Sequence, residues 1–343
     1  MEKRYFLTRH SIKPKGEDIE SELYRGISKK GVELARSSAR NIFDYIEKSP
    51  NGAVIFLGGV SDEVRTKSTA EVYGNELKKI LSGRKDYVVI TKEDIPKGRG
   101  YTWMAKQVEK IINSNPDKKI VLDIPIFLKE FSPQKESKNQ GGWYNKSGKP
   151  TAYLIKLIEK HKGNEYDMMK DWITNKGRSG ELIGPNPLDV AKSYEKGLGR
   201  LERFVKKYAG DRPVVNGIIG HNLNADCYLT YILGGGKVDL ATFEKMSRGK
   251  GLLKETEMAL IEITPDITTL TYRNQEHKAK KDLEQKVSSV VAVGGILGSL
   301  FFLSSGVTGN AIGSLSNSSG SSIGIVLLLV GIASAFFYFK NKK

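Results

Sequence analysis

The 343-residue chain contains only four histidines, and two of them, His10 and His221, directly follow short apolar runs of the kind that form buried strands. His10 is preceded by Arg9, and His221 by Gly220, whose missing side chain lets a ligand approach closely. A neutral imidazole can attack phosphorus and carry the phosphoryl group as a covalent intermediate, which divides one difficult displacement into two easier ones. That chemistry needs the charge on the non-bridging oxygens neutralised, and the planar fork of arginine does this with paired hydrogen bonds. Arg9, Arg65 and His221 are the candidates for such a cradle around His10. The other two histidines, His161 and His277, stand in polar stretches and read as solvated surface residues.

These residues need a scaffold that brings distant positions to one edge. Strands are predicted at 4–8, 53–57, 87–91, 119–123 and 214–219, and helices at 29–47, 63–81, 102–113 and 187–208. Regular alternation of this kind predicts an α/β fold, a mainly parallel sheet with helices on both faces. Ligands of such sheets bind beyond the carboxyl ends of the strands, where Arg9-His10-Ser11, Gly58-Gly59 leading to Arg65, and Gly220-His221-Asn222 all fall. The polar stretch 124–186, with Phe127, Phe131, Trp143 and Tyr144 scattered through it, interrupts the pattern and reads as an insertion that could cover one end of the sheet.

The strand followed by Arg-His, Tyr5-Phe6-Leu7-Thr8-Arg9-His10-Ser11, is similar to the signature of the histidine phosphatase superfamily, which includes phosphoglycerate mutases and acid phosphatases. Further likenesses follow in order. Residues 23–35, with Ile27-Ser28 and Gly31 onward, resemble the family's Leu-Thr, Gly, Gln-Ala helix start. Residues 61–71, with Arg65 and Ser68-Thr69-Ala70-Glu71, resemble its Ser-x-x-x-Arg and Thr-Ala-Glu segment. The helix 187–208, the strand 213–219 and Gly220-His221-Asn222 resemble its closing elements and second histidine.

The resemblance implies a phosphoglycerate mutase-like fold over 1–273, with His10 as nucleophile and Arg9, Arg65 and His221 binding the transferred group. It also implies an acid near the third strand that protonates the leaving oxygen. Glu93 is the candidate, with Asp94 and Glu63 as rivals; Asn222 stands where another branch places an aspartate, and Ser11 where a glycine is more usual. The expected activity is hydrolysis of phosphomonoesters without a metal or other cofactor. A phosphate-binding or scaffolding module without turnover, and a phosphomutase, are the alternatives.

The lone Cys227 cannot form an internal disulfide, and no His/Cys cluster has metal-ligand spacing. With 55 Lys+Arg against 39 Asp+Glu, the net charge of +16 calls for an anionic partner: a phosphorylated small molecule, a lipid-linked phosphate, a phosphoprotein or membrane lipids. No basic run interleaved with aromatics argues for nucleic acid.

The first ten residues lack the apolar run of a secretory signal. Residues 287–339 carry no charge and hold two apolar segments, 287–305 and 323–339, each near the roughly 20 residues that cross a bilayer. The Gly/Ser/Asn loop 306–322 separates them. A charged linker at 274–286 precedes them and a basic tail at 340–343 follows. Lysines on the outer flanks predict a transmembrane hairpin with the catalytic domain and the C-terminus both cytoplasmic.

Overall fold

Residues 5, 7, 54, 56, 120 and 122 point to one face of the sheet and residues 6, 55, 57 and 121 to the other, and all ten side chains are buried. A strand buried on both faces has nothing polar to alternate with, which is why these segments read as unbroken apolar runs. The computed structural model describes residues 3–60, 64–95, 100–124, 128–132 and 141–280.

The chain runs β1 (Lys3–Arg9), α1 (Lys29–Glu47), β2 (Val54–Gly59), α2 (Val64–Ile80), β3 (Tyr87–Ile90), α3 (Gly100–Asn113) and β4 (Lys119–Asp123). A 3₁₀ turn at Lys129–Phe131, α4 (Ala152–Lys160), α5 (Glu165–Thr174) and the small ladder of β5 (Arg178–Ser179) with β6 (Leu182–Ile183) follow. The fold closes with α6 (Pro187–Ala209), β7 (Val214–Gly220), α7 (Asn222–Leu233), α8 (Leu240–Ser247), β8 (Met258–Ile263), β9 (Ile267–Tyr272) and β10 (Gln275–Lys280).

The sheet order is β10-β9-β8-β1-β7-β2-β4-β3. Strands β1, β7, β2, β4 and β3 are parallel to one another, as the alternating pattern predicts. Between β1 and β7 the register pairs Arg9 with Gly220, so the two histidine-bearing ends stop side by side. Helices α1 and α2 cover one face, with Ile42, Phe43, Ile46, Tyr73 and Leu77 buried against it. Helices α6 and α7 cover the other, with Tyr194, Leu198, Leu201 and Leu229.

Two features differ from the sequence-based expectation. The linker placed at 274–286 begins inside the sheet, because β10 is the outer strand beside β9. The turn between them puts Arg273 and Asn274 at φ of 53° and 59°, the left-handed pair of a tight hairpin. Gln275-Glu276-His277-Lys278-Ala279-Lys280 carries no alternating apolar signal, since an edge strand can leave both faces wet. The insertion, expected as a cover over one end of the sheet, also contributes to the core: Phe131, Trp143, Trp172 and Met169 are almost fully buried and continuous with the core under α6. Among the described residues no helix is long and apolar enough to cross a membrane. The segments 287–305 and 323–339, with their loop and tail, lie outside the described residues.

Candidate active site

The site is built where β1 and β7 end. The His10 amide donates to the Gly220 carbonyl at 3.0 Å, and the two imidazoles meet edge to face with centroids 5.1 Å apart. His10 Nδ1 lies 2.7 Å from the Ser11 carbonyl oxygen. A carbonyl can only accept, so Nδ1 carries the proton and Nε2 holds the lone pair. An imidazole held through its rear nitrogen in this way has a fixed ring orientation, with the lone pair of the other nitrogen available for bonding.

The loop after His10 is fastened to the start of α2. Ser11 N donates to Thr69 Oγ1 at 3.0 Å, Thr69 Oγ1 donates to the Arg65 carbonyl at 2.8 Å, and Ser11 Oγ donates to the Gly31 carbonyl at 2.6 Å. Arg65 reaches the site because α2 packs directly onto the end of β2, where a Cβ at Gly59 would overlap the Thr66 carbonyl group. Gly26, at φ +78°, also lies close to the Arg65 backbone, where a Cβ would sit 3.0 Å from its nitrogen. His221 lies before the first turn of α7 as its cap residue, and its Nε2 is buried with no hydrogen-bond partner among the described residues. The dipole at that helix start favours an anion.

Burial and charge act together on both rings. Burial, the Arg65 guanidinium and His221 push His10 down to about 2, with Arg9 adding to the effect against a smaller opposing contribution from the Ser11 carbonyl. Burial, Arg65 and Arg9 push His221 down to about 3. Both imidazoles are therefore neutral near pH 7: one is a base with a free lone pair, the other a neutral group able to hydrogen-bond an incoming oxygen.

Arg9 is placed differently from the expectation that it is free to cradle a phosphate. Its Nη1 donates to Glu165 Oε2 at 3.0 Å and to the Leu253 carbonyl at 3.2 Å. Its Nη2 lies 3.3 Å from Glu165 Oε1 and 3.1 Å from Glu255 Oε1. Only Nε is buried without a partner. Asn222 Nδ2 donates to the same Glu165 Oε2 at 2.6 Å. Sequence reasoning missed Glu165 and Glu255, which lie 156 and 246 residues from Arg9 in stretches with no motif to mark them.

Glu93 is exposed on the turn after β3. Its charge helps to raise the Asp123 carboxyl. The rival Asp94 is committed elsewhere: it accepts from Lys78 Nζ at 2.6 and 2.7 Å and from Thr91 N and Oγ1 at 2.8 and 2.9 Å. Although burial works the other way, those donors hold its carboxyl below the usual range, which makes it a poor proton donor. Glu63 lies outside the described residues. Among the described residues no group of three or more His, Cys, Asp or Glu side chains could hold a metal.

No family model matches the chain, and no curated protein matches it. Among solved structures, a mycobacterial glucosyl-3-phosphoglycerate phosphatase superposes over 76% of this chain and 91% of its own, at 13% identity and a TM-score of 0.38. A protein described as mycobacterial hydrolase 2 does so over 84% and 97%, at 13% identity and 0.40. An open reading frame product of Mycobacterium tuberculosis does so over 78% and 95%, at 10% identity and 0.37.

Proposed function

We propose that this chain hydrolyses phosphomonoesters through a phosphohistidine formed on His10. The observation that carries the reading is the pair of neutral, buried imidazoles 5.1 Å apart, one of them pinned at Nδ1 so that its Nε2 lone pair is the reactive one. In the first step His10 Nε2 forms a bond to phosphorus as the bond to the leaving oxygen breaks. Arg65, His221 and the start of α7 take the charge on the non-bridging oxygens. The leaving oxygen collects a proton from an acid, for which Glu93 is the candidate. In the second step water attacks phosphorus and returns a proton to that acid as the bond to His10 Nε2 breaks, which frees phosphate and restores the imidazole. None of these steps calls on a metal. The intact histidine pair favours this reading over a phosphate-binding module without turnover.

The test is hydrolysis of an aryl phosphate by the full-length chain in the presence of a chelator, together with mass spectrometry of the protein quenched in alkali, where a phosphohistidine survives. Wild type should turn over and show a phosphoryl adduct on His10, and His10→Ala should lose at least about 10⁴-fold in kcat with no adduct. If wild type binds phosphate but shows neither turnover nor adduct across a broad panel of phosphoesters, the binding-module reading takes over.

The substrate class follows from the excess of positive charge: a phosphorylated small molecule, a lipid-linked phosphate or a phosphoprotein. We also propose that 287–305 and 323–339 tether the domain to the cytoplasmic face of a membrane. The support is the charge-free sequence 287–339 between lysine-rich flanks. Release of the chain from membranes by alkaline carbonate would overturn the tether.

A further inference from the structure

We infer that Glu165 is an internal ligand of the anion site, holding the Arg9 fork until the substrate's phosphate displaces it, so that this one side chain sets the site's affinity for phosphate. The inference rests on the reading of this cleft as a phosphate site. Glu165 accepts from both Nη groups of Arg9, at 3.0 and 3.3 Å, and from Asn222 Nδ2 at 2.6 Å. Its two oxygens thus sit on the fork as two oxygens of a phosphate would, the paired geometry that guanidinium groups offer to carboxylates and phosphates alike.

Charge makes displacement the consistent outcome. Arg9 already faces two carboxylates, Glu165 and Glu255, so its single positive charge is more than cancelled. Adding a phosphate dianion beside both would place three anionic groups on one cation, which opposes binding. One of the carboxylates must leave, and their surroundings differ. Glu255 belongs to a segment stitched to β1: Thr256 N donates to the Arg9 carbonyl at 3.0 Å, and Arg9 bridges to Glu255 in parallel fashion. The Glu165 side chain is 48% exposed against 36% for Glu255, so it is the one that turns into water at the smaller cost.

The helix that carries Glu165 need not move. Asn164 caps α5 by accepting from Tyr166 N and Asp167 N. Trp172 is buried and donates through Nε1 to the Pro185 carbonyl at 2.6 Å. Tyr166 packs against Phe243 of α8 with centroids 5.4 Å apart. Displacement is therefore a rotation of one side chain on a fixed support.

The experiment compares full-length wild type with Glu165→Gln and Glu165→Ala, by calorimetric titration with inorganic phosphate and by steady-state kinetics on an aryl phosphate. A competing carboxylate predicts that both variants bind phosphate about tenfold more tightly. KM should fall in parallel and kcat should stay within about twofold, because the clasp is absent from the transition state. Unchanged or weaker phosphate binding, or a fall in kcat, would overturn the inference and make Glu165 a support for Arg9. Failure of wild type and both variants to bind phosphate, with all three folded, would remove the phosphate-site reading itself and this inference with it.

Discussion

The carboxyl edge of the sheet has two halves with opposite electrostatic character. At the ends of β1 and β7, two buried imidazoles sit in the field of Arg65 and Arg9 and are kept neutral because charging them would add a cation among cations. At the ends of β4 and β3, Asp123 is buried against Gly74 of α2. Burial and the nearby Glu71 push it up to about 7, with Glu93 adding to the effect and Lys92 opposing it. One half suppresses positive charge on bases and the other suppresses negative charge on an acid. Only the first leaves cationic character for an incoming phosphate. Burial is the largest cause at both, so it is the neighbouring charges that distinguish a site from a support.

Arg65 is the residue on which this contrast depends most. It is the strongest neighbouring charge acting on both histidines, and its guanidinium is the proposed partner of the transferred group. Arg65→Ala should lower kcat/KM by about 10²- to 10³-fold, the usual cost of removing one preorganised donor. Arg65→Lys should recover only part, since a point charge replaces a fork. The same change should relieve the depression of both imidazoles and move the acid limb of the kcat/KM profile to higher pH. An unmoved acid limb would show that burial alone keeps the histidines neutral, and the contrast between the two halves would lose its basis in charge.

Glu93 tests the other half. As the proton donor it should matter in proportion to how poorly the leaving group departs. Glu93→Gln should slow hydrolysis of alkyl phosphates by roughly 10²-fold, while an aryl phosphate, whose leaving oxygen needs little help, should lose no more than about threefold. Equal losses on both substrates, or none on either, would separate Glu93 from the chemistry and leave it as a neighbour of Asp123.

Much of this arrangement was legible before any coordinates. The five parallel strands are continuous apolar runs, and helix α1 spans 29–47 as expected because Ser28 accepts from Gly31 N at its start and the apolar positions repeat along one face. The meeting of His10 and His221 followed from placing both at strand ends in a parallel sheet. What the sequence concealed has a common cause. Strands β8, β9 and β10 form a meander on the outer side of β1, where burial alternates along β8 and β9 but polarity does not follow it, since Thr268 is buried while Leu260 and Ile263 are only half-buried. The carboxylates on Arg9 come from α5 and from the segment before β8, and an ion pair between positions so far apart carries no local signal. Burial of Trp143 and Trp172 against each other, with centroids 4.8 Å apart, likewise depends on how the insertion folds back rather than on its spacing.

The two halves should also answer pH with opposite signs. For His221 the folded value, about 3, lies below the ordinary 6.5 of the unfolded chain. The unfolded state therefore binds more protons between these values, and stability is full above about pH 6.5 and declines as pH falls toward 3. For Asp123 the folded value, about 7, lies above the ordinary 3.8. Here the folded state holds the extra proton, so stability is full below about pH 3.8 and declines as pH rises toward 7. Removing each titration should tilt the stability curve in its own direction. Relative to wild type, His221→Gln should gain roughly 2 kcal/mol on going from pH 8 to pH 5, and Asp123→Asn a similar amount on going from pH 4 to pH 5.5, at ~1.4 kcal/mol per pH step. Urea unfolding across pH 4 to 8 reads both slopes, and the constant cost of placing an amide in either pocket cancels in the slope. Parallel tilts in the two variants would mean that at least one of the two groups is not held neutral by its surroundings in the folded chain.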